Sequence, residues 1–197
     1  MTQSDFYEAE KAMSKDHVAT PGWVVEQMYD LIGIRQFSSV WFPFNNYDSE
    51  FKLRADELRI RYKATHIFDD RRQDFFTTDP PDGCDLLISN PPFSIQNEII
   101  ERTFALADAG KVKAFALLLP LSTLETPARS RMWESHLEGL SVLIFRKRIA
   151  FKNKAKTFNA PICWVCWNVP TIHQKLAWLD SPTAKRPTRE PRDPIRS

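Results

Sequence analysis

The chain has 197 residues, 43% of them hydrophobic and 12% aromatic, so it can bury a proper core and is not disordered throughout. The length suits one α/β domain with a short tail. A formal net charge of +2 does not by itself point to a polyanion partner, and no apolar run approaches the ~20 residues that span a bilayer.

Residues 1–15 read as a polar leader of mixed charge, without the pattern of a signal peptide. "ATPGWVVEQMYDLIGI" then predicts a helix, begun by Thr20 and Pro21 and ended by Gly33, with Val24, Val25, Met28, Leu31 and Ile32 as its apolar stripe. "SSVWFPF" predicts a first strand stopped by Pro43, and after the loop "NNYDSE" a helical pattern passes through Phe51, Leu53, Leu58 and Ile60. "ATHIFD" predicts a second strand ending in Asp69 and Asp70. The turn-rich "TTDPPDGC" leads into the strand "DLLIS".

"NEIIERTFALADAG" predicts an amphipathic helix closed by Gly110, and "KAFALLLP" a strand buried on both faces. A helix over "ETPARSRMWESHLEG", the strand "LSVLIF", a basic loop and a final strand "PICWVCWN" follow. The domain is expected over 16–179, and 180–197, rich in Pro and Arg, is expected to be disordered. Strands alternating with helices predict an α/β fold with a mostly parallel sheet, whose ligands sit at the strands' carboxyl ends.

The three cysteines are Cys84, Cys163 and Cys166. Alternation along a strand puts Cys163 and Cys166 on opposite faces, so "CWVC" reads as two buried thiols rather than a redox pair. Free thiols suit a reducing cytosol, and a cytoplasmic protein is expected. His17, His66, His136 and His173 show neither metal spacing nor a nucleophile–base pattern, so no metal is expected.

One tetrapeptide carries distinct chemistry. "LLISNPPFSI" ends an apolar strand in Asn90, Pro91, Pro92 and Phe93. The prolines hold the Asn90 amide and the Pro91 carbonyl fixed, two acceptors beside the flat ring of Phe93. That set suits a planar group bearing an NH2, such as the exocyclic amine of a base flipped out of its stack. The bland alternative is a strand terminator.

"DLLISNPPFS" resembles motif IV, the (D/N)PP(Y/F) signature of class I S-adenosylmethionine-dependent amino-methyltransferases, chiefly the adenine-N6 enzymes. The likeness runs in order over most of residues 16–168, and the whole resembles the small, phage-type adenine methyltransferases that lack a separate target-recognition domain. It implies a Rossmann-like class I methyltransferase fold with helices on both faces and an antiparallel last strand. It implies S-adenosylmethionine as cofactor and N6-methylation of adenine, in DNA, in a bacterial or phage-infected cell. Asn90, Pro91, Pro92 and Phe93 would form the catalytic site.

The cofactor residues follow from the same likeness. "ATPGWVVEQM" resembles motif X, with Thr20 and Pro21 near the cofactor's methionine part. "VWFPFNNYDSEF" stands in the place of motif I, where Pro43 and Phe44 fit but both glycines are absent. Asn45 and Asn46 would replace a glycine conformationally, and Asp48 and Ser49 would supply polar contacts. "THIFDD" resembles motif II, with Asp69 on the ribose hydroxyls. "RQDFF" resembles motif III, with Asp74 at the adenine amine. Solvated loop acids, and a plain helix start at Thr20-Pro21, remain the alternatives.

Residues 146–156, "RKRIAFKNKAK", are dense in Lys and Arg and hold no acid. Arg148, Lys152, Lys154 and Lys156 interleave with Phe151 and Phe158, as a surface contacting phosphates and bases would. An ordinary solvated loop is the alternative. A small enzyme of this kind would have short or relaxed specificity, or would borrow target contacts from a homodimer partner or another subunit. The residues leave open a catalytically silent nucleic-acid-binding protein, and the same chemistry on RNA adenine, cytosine N4 or a protein glutamine.

Overall fold

The computed structural model describes residues 19–45, 48–67, 73–151 and 160–182. Its strands are β1 Val40–Pro43, β2 Tyr62–Thr65, β3 Leu86–Ser89, β4 Phe115–Pro120, β5 Leu140–Phe145, β6 Ile162–Trp167 and β7 Leu176–Leu179. Its α-helices are α1 Gly22–Ile32, α2 Glu50–Glu57, α3 Gln96–Asp108 and α4 Pro127–Glu134. The strands form one sheet in the order β2-β1-β3-β4-β6-β5-β7. All run parallel except β6, which is antiparallel to both β4 and β5.

Both faces of the sheet are covered, which is why its central strands are apolar at successive positions. Val40, Phe42, Leu86, Ile88, Ala116 and Leu118 pack on one face with residues of α1 and α2. Trp41, Leu87, Phe115, Leu117 and Leu119 pack on the other with residues of α3 and with Trp133 of α4. β6 shows the alternation most clearly: Cys163 and Val165 face the second core, Trp164 and Cys166 the first. The two thiols of "CWVC" therefore lie on opposite sides of the sheet, both buried and free.

α1 forms where its pattern predicts. Val24, Val25, Met28, Tyr29 and Ile32 are buried, each contributing roughly 1.5–3 kcal/mol as an upper estimate of apolar burial. That total far exceeds the ~1 kcal/mol of a side-chain N-cap, which α1 lacks. Gly33 ends it at φ 58°, donating its N–H to the closing carbonyls.

Three boundaries differ from expectation. The second strand is not centred on 64–69 but runs Tyr62–Thr65, where Pro43, the last residue of its parallel partner β1, pairs with Thr65. The helix expected over 125–139 stops at Glu134 and continues as turns. β6 is the antiparallel strand, but it is not the last in the chain. β7 follows it at the sheet edge, with Leu176 50% and Trp178 52% exposed. Trp178 thus leaves half its surface open.

No described helix is long and apolar enough to cross a membrane.

Candidate active site

Strand order sets the location. From β1 the chain moves outward to β2, then returns to place β3 on β1's other side. The carboxyl ends of β1 and β3 therefore flank a switch point, where open α/β sheets leave a crevice. The β1–β3 ladder pairs Val40 with Leu86 and Trp41 with Leu87. Beyond it, side chains rather than backbone bonds join the two strand ends.

Ser89, 0% exposed at the end of β3, donates its hydroxyl to the Pro43 carbonyl. Asn45 lies across the same gap, its Nδ2 2.7 Å from the Pro43 carbonyl and 3.0 Å from Ser89 Oγ. Its Oδ1 accepts from the Ser49 hydroxyl, and its backbone N–H reaches the Thr65 carbonyl at 3.2 Å. Thr65 Oγ1 in turn accepts from Trp41 Nε1 at 3.0 Å. Asn45 and Ser49, expected at the cofactor, use these side-chain groups in the turn after β1.

Phe44 follows directly on β1 and has an unusual backbone conformation. Its φ is 63°, in the left-handed region that an aromatic residue rarely occupies. Asn45 was expected to bear the positive φ, but the described chain places it on Phe44; Asn46 lies outside the described residues. The Phe44 ring is half-buried and packs 4.8 Å from Phe75, centroid to centroid. Such conformations persist only where the surroundings hold them, and they gather at functional sites.

The motif III segment lies beside this turn. Asp74 Oδ1 accepts the Phe76 N–H at 3.0 Å, and its carbonyl accepts from Thr77 and Thr78, so Asp74 organises a tight turn. Arg102 of α3 clamps that turn by donating to the carbonyls of Phe75 at 2.7 Å and Thr78 at 3.2 Å. Asp48 is exposed next to Ser49. Asp69 lies outside the described residues.

NPPF follows directly on Ser89, at the carboxyl end of β3. Pro91 and Pro92 are buried, and Phe93 opens a 3-10 turn that leads straight into α3. The Phe93 ring packs half-buried against both cores. Asn90 Nδ2 donates to Thr20 Oγ1 at 3.0 Å, although the two residues are 70 positions apart. Thr20 is 6% exposed, just before the Pro21 that caps α1. The segments resembling motifs X, I and IV thus meet through named contacts at one end of the sheet.

The basic segment is a different matter. Arg148 is exposed. Phe151, expected among surface aromatics, is instead 6% exposed and packed in the first core with Ile149, so its ring is not available for stacking on bases. Apolar spacing alone could have flagged this, since Ile149 and Phe151 stand two apart, as large apolar residues on one face of an extended segment do. Lys152, Lys154, Lys156 and Phe158 lie outside the described residues.

Sequence reasoning missed Ser89. Its signal was a hydroxyl at the last position of an otherwise apolar strand, where a buried polar group needs a partner. A groove of about 740 Å³ opens at the opposite end of the sheet, lined in part by Ser38, Asp85 and Lys113. It is separate from the crevice. No cluster of His, Cys, Asp or Glu suited to a metal occurs among the described residues.

Comparison with known proteins bears on the fold. No family model matches the chain, and no curated protein does. Solved structures do match. The methyltransferase subunit of a type I restriction-modification system from Streptococcus thermophilus is 13% identical, with a TM-score of 0.54 over 83% of this chain and 47% of that one. A modification subunit assigned to a type I restriction enzyme of Vibrio vulnificus is 13% identical, with a TM-score of 0.55 over 92% of this chain and 52% of that one. The fold is that of the class I methyltransferases. The chain spans about half the length of these two structures.

Proposed function

We propose that the protein transfers a methyl group from S-adenosylmethionine to the N6 amine of adenine in DNA, with the base flipped into the crevice at NPPF. The observation that carries this reading is the 3.0 Å hydrogen bond that holds the Asn90 amide at the end of β3. It fixes a carboxamide beside the rigid Pro91-Pro92 turn and the Phe93 ring, the arrangement that suits a planar amine. The class I fold supports the cofactor, and the two matched structures are methyltransferase or modification subunits of restriction systems.

The donor set near the strand ends suits S-adenosylmethionine. Asp48 offers an exposed carboxylate for an amino group, Asp74 a second one, and the half-buried Phe44 ring an apolar face for the adenine. When bound, the cofactor supplies a methyl group made electrophilic by its sulfonium. Asn90 Oδ1 and the Pro91 carbonyl would accept the two N–H bonds of the target amine, which localises its lone pair and stabilises the positive charge that develops during attack. Phe93 would hold the base flat. Displacement is direct, with no covalent enzyme intermediate.

Incubation with labelled S-adenosylmethionine and DNA, RNA or protein, followed by nucleoside analysis, tests the reading. N6-methyladenine in DNA is the expected product, and Asn90→Ala should abolish it while cofactor binding persists. Label in RNA alone would overturn the substrate, and loss of cofactor binding with the base site intact would overturn the role of Asn90.

A second reading draws on the turn after β1. Asn45 and Ser49 bond to each other and to the framework, which suits a methyltransferase-like protein that binds nucleic acid and no longer methylates. Calorimetric titration separates the two, since a silent protein would show no uptake of S-adenosylmethionine.

A further inference from the structure

We propose that β7 is a docking edge for a second copy of this chain. The two strands pair antiparallel about a two-fold axis at Ala177 and continue the sheet across the dimer. The proposal goes beyond the methyl-transfer reading and does not depend on it. β7 is the last strand of the sheet, bonded on one side to β5, and among the described residues no strand pairs with its other side. Leu176 and Trp178 lie on it 50% and 52% exposed. Large apolar side chains on a free strand edge make a template for another strand.

The ladder to β5 fixes which groups face outward. The carbonyls of Lys175 and Leu179 accept the N–H groups of Val142 at 2.9 Å and Arg146 at 3.0 Å. The odd-numbered residues thus turn their backbone groups towards β5, and Leu176 and Trp178 turn theirs away from it. Side chains alternate as well. Leu176 and Trp178 stand beside Val142 and Ile144 of the second core, while Ala177 and Leu179 pack with the first. A two-fold axis normal to the sheet keeps each face continuous, so residues on the same face must pair. With the axis at Ala177, Leu176 of each copy stands opposite Trp178 of the other in hydrogen-bonded pairs. The two Ala177 residues meet as the close, non-bonded pair, where a small side chain fits best. Moving the axis to Trp178 would set each Leu176 opposite Asp180, and moving it to Leu176 would set each Trp178 opposite Gln174.

Charge favours the antiparallel sense and a copy of this chain as the occupant. Lys175 precedes the strand, and Asp180 follows it with its side chain 84% exposed, although it pairs with Arg146 at 3.1 Å. Antiparallel pairing carries the acidic end of one copy towards the basic start of the other, whereas parallel pairing would set like beside like. A strand of four residues makes an interface well short of the roughly 20–30 residues a side of a standard one, so the dimer is a weak one.

Sedimentation equilibrium of the full chain from about 10 μM to 1 mM should show the mass rising towards that of two chains, with a dissociation constant on the order of 0.1–1 mM. Leu176→Lys with Trp178→Lys, both at exposed positions, should raise that constant more than about tenfold, because the axis counts each change twice. Ala177→Cys should form an intermolecular disulfide on mild oxidation, since its two Cα atoms would stand about 4.5 Å apart and the native cysteines are buried. Asp180→Cys, about 20 Å from its copy in this register, should not. A monomer at every concentration would overturn the proposal, whether another part of the chain or another protein then covers the edge. A dimer indifferent to the two lysines would overturn it as well, and equal cross-linking of both cysteine variants would refute the register. Should Ala177→Cys fail to fold, Leu176→Glu with Trp178→Lys sets opposite charges across the junction and should dimerise where the double-lysine chain does not. Loss of the dimer in both would equally refute the register.

Discussion

Asn45 Nδ2 lies 3.0 Å from Ser89 Oγ, so one buried amide–hydroxyl contact joins the turn after β1 to the last residue of β3. Ser89 also donates to the Pro43 carbonyl. Deleting its hydroxyl leaves buried polar groups short of a partner, which costs roughly 1–3 kcal/mol. Ser89→Ala should therefore lower the urea midpoint by that equivalent with the denaturant slope unchanged. A midpoint indistinguishable from the parent would mean that the strand ends are held together by other contacts.

Gly139 makes a steric claim at the opposite end of the sheet, just before β5. A Cβ there would sit 2.7 Å from Trp167 Nε1 and 3.0 Å from its Cδ1. The indole packs face to face with Phe115 at 5.8 Å and edge-on to Phe104 at 6.4 Å, so it has little room to yield. Gly139→Ala should destabilise by roughly 1–3 kcal/mol, the usual cost of overpacking. Adding Trp167→Leu should recover part of that loss relative to Trp167→Leu alone. Strict additivity of the two changes would refute the clash.

What the sequence revealed, and what it hid, follows from where the information lies. α1, α3, β4 and β5 were legible because each buries a regular apolar pattern. NPPF was legible because two prolines end a strand whatever surrounds them. β7 was not, since a single residue of the four, Leu179, is buried and an edge strand needs only its neighbour's backbone. The Thr20–Asn90 and Asn45–Ser89 contacts were hidden for another reason. Each joins residues at least 44 positions apart, and composition cannot show which polar side chains the topology brings together. Phe151 was misread because a basic neighbourhood says nothing about the face on which a ring points.

The thiols should be inert in the folded chain. Burial pushes Cys84 and Cys163 up to about 12 and raises Cys166 as well, with Cys163 adding to the effect. The thiolate is the reactive form, so at pH 8 a thiol of that kind is ionised about once in ten thousand molecules. An aromatic disulfide reagent should label none of the three within minutes in buffer and all three in 6 M guanidinium. Rapid labelling of one native cysteine would show that its strand opens more readily than its burial implies.

Asp85 and Lys113 form an ion pair of 2.7 Å at the amino ends of β3 and β4. Asp85 also accepts the backbone N–H groups of Ser38 at 2.9 Å and Ser39 at 3.2 Å. The Lys113 hydrogen bond, helped by those N–H groups against the cost of burial, holds the Asp85 carboxyl below the usual carboxylate range. The unfolded chain therefore binds its proton more readily, and the group's stabilising effect is present above about pH 4 and lost as pH falls through the lowered folded value. Lys113 is raised by the same partner, so its share is full below the ordinary lysine value and lost in strong alkali. Because the Lys113 side chain is 69% exposed, solvent screens the pair. Asp85→Asn keeps an acceptor for the N–H groups and removes only the charge. Its stability deficit, read by urea titration, should be largest near pH 7, shrink towards pH 2, and shrink at pH 7 in 1 M salt. A deficit independent of both pH and salt would mean that Asp85 acts through shape and hydrogen bonding alone.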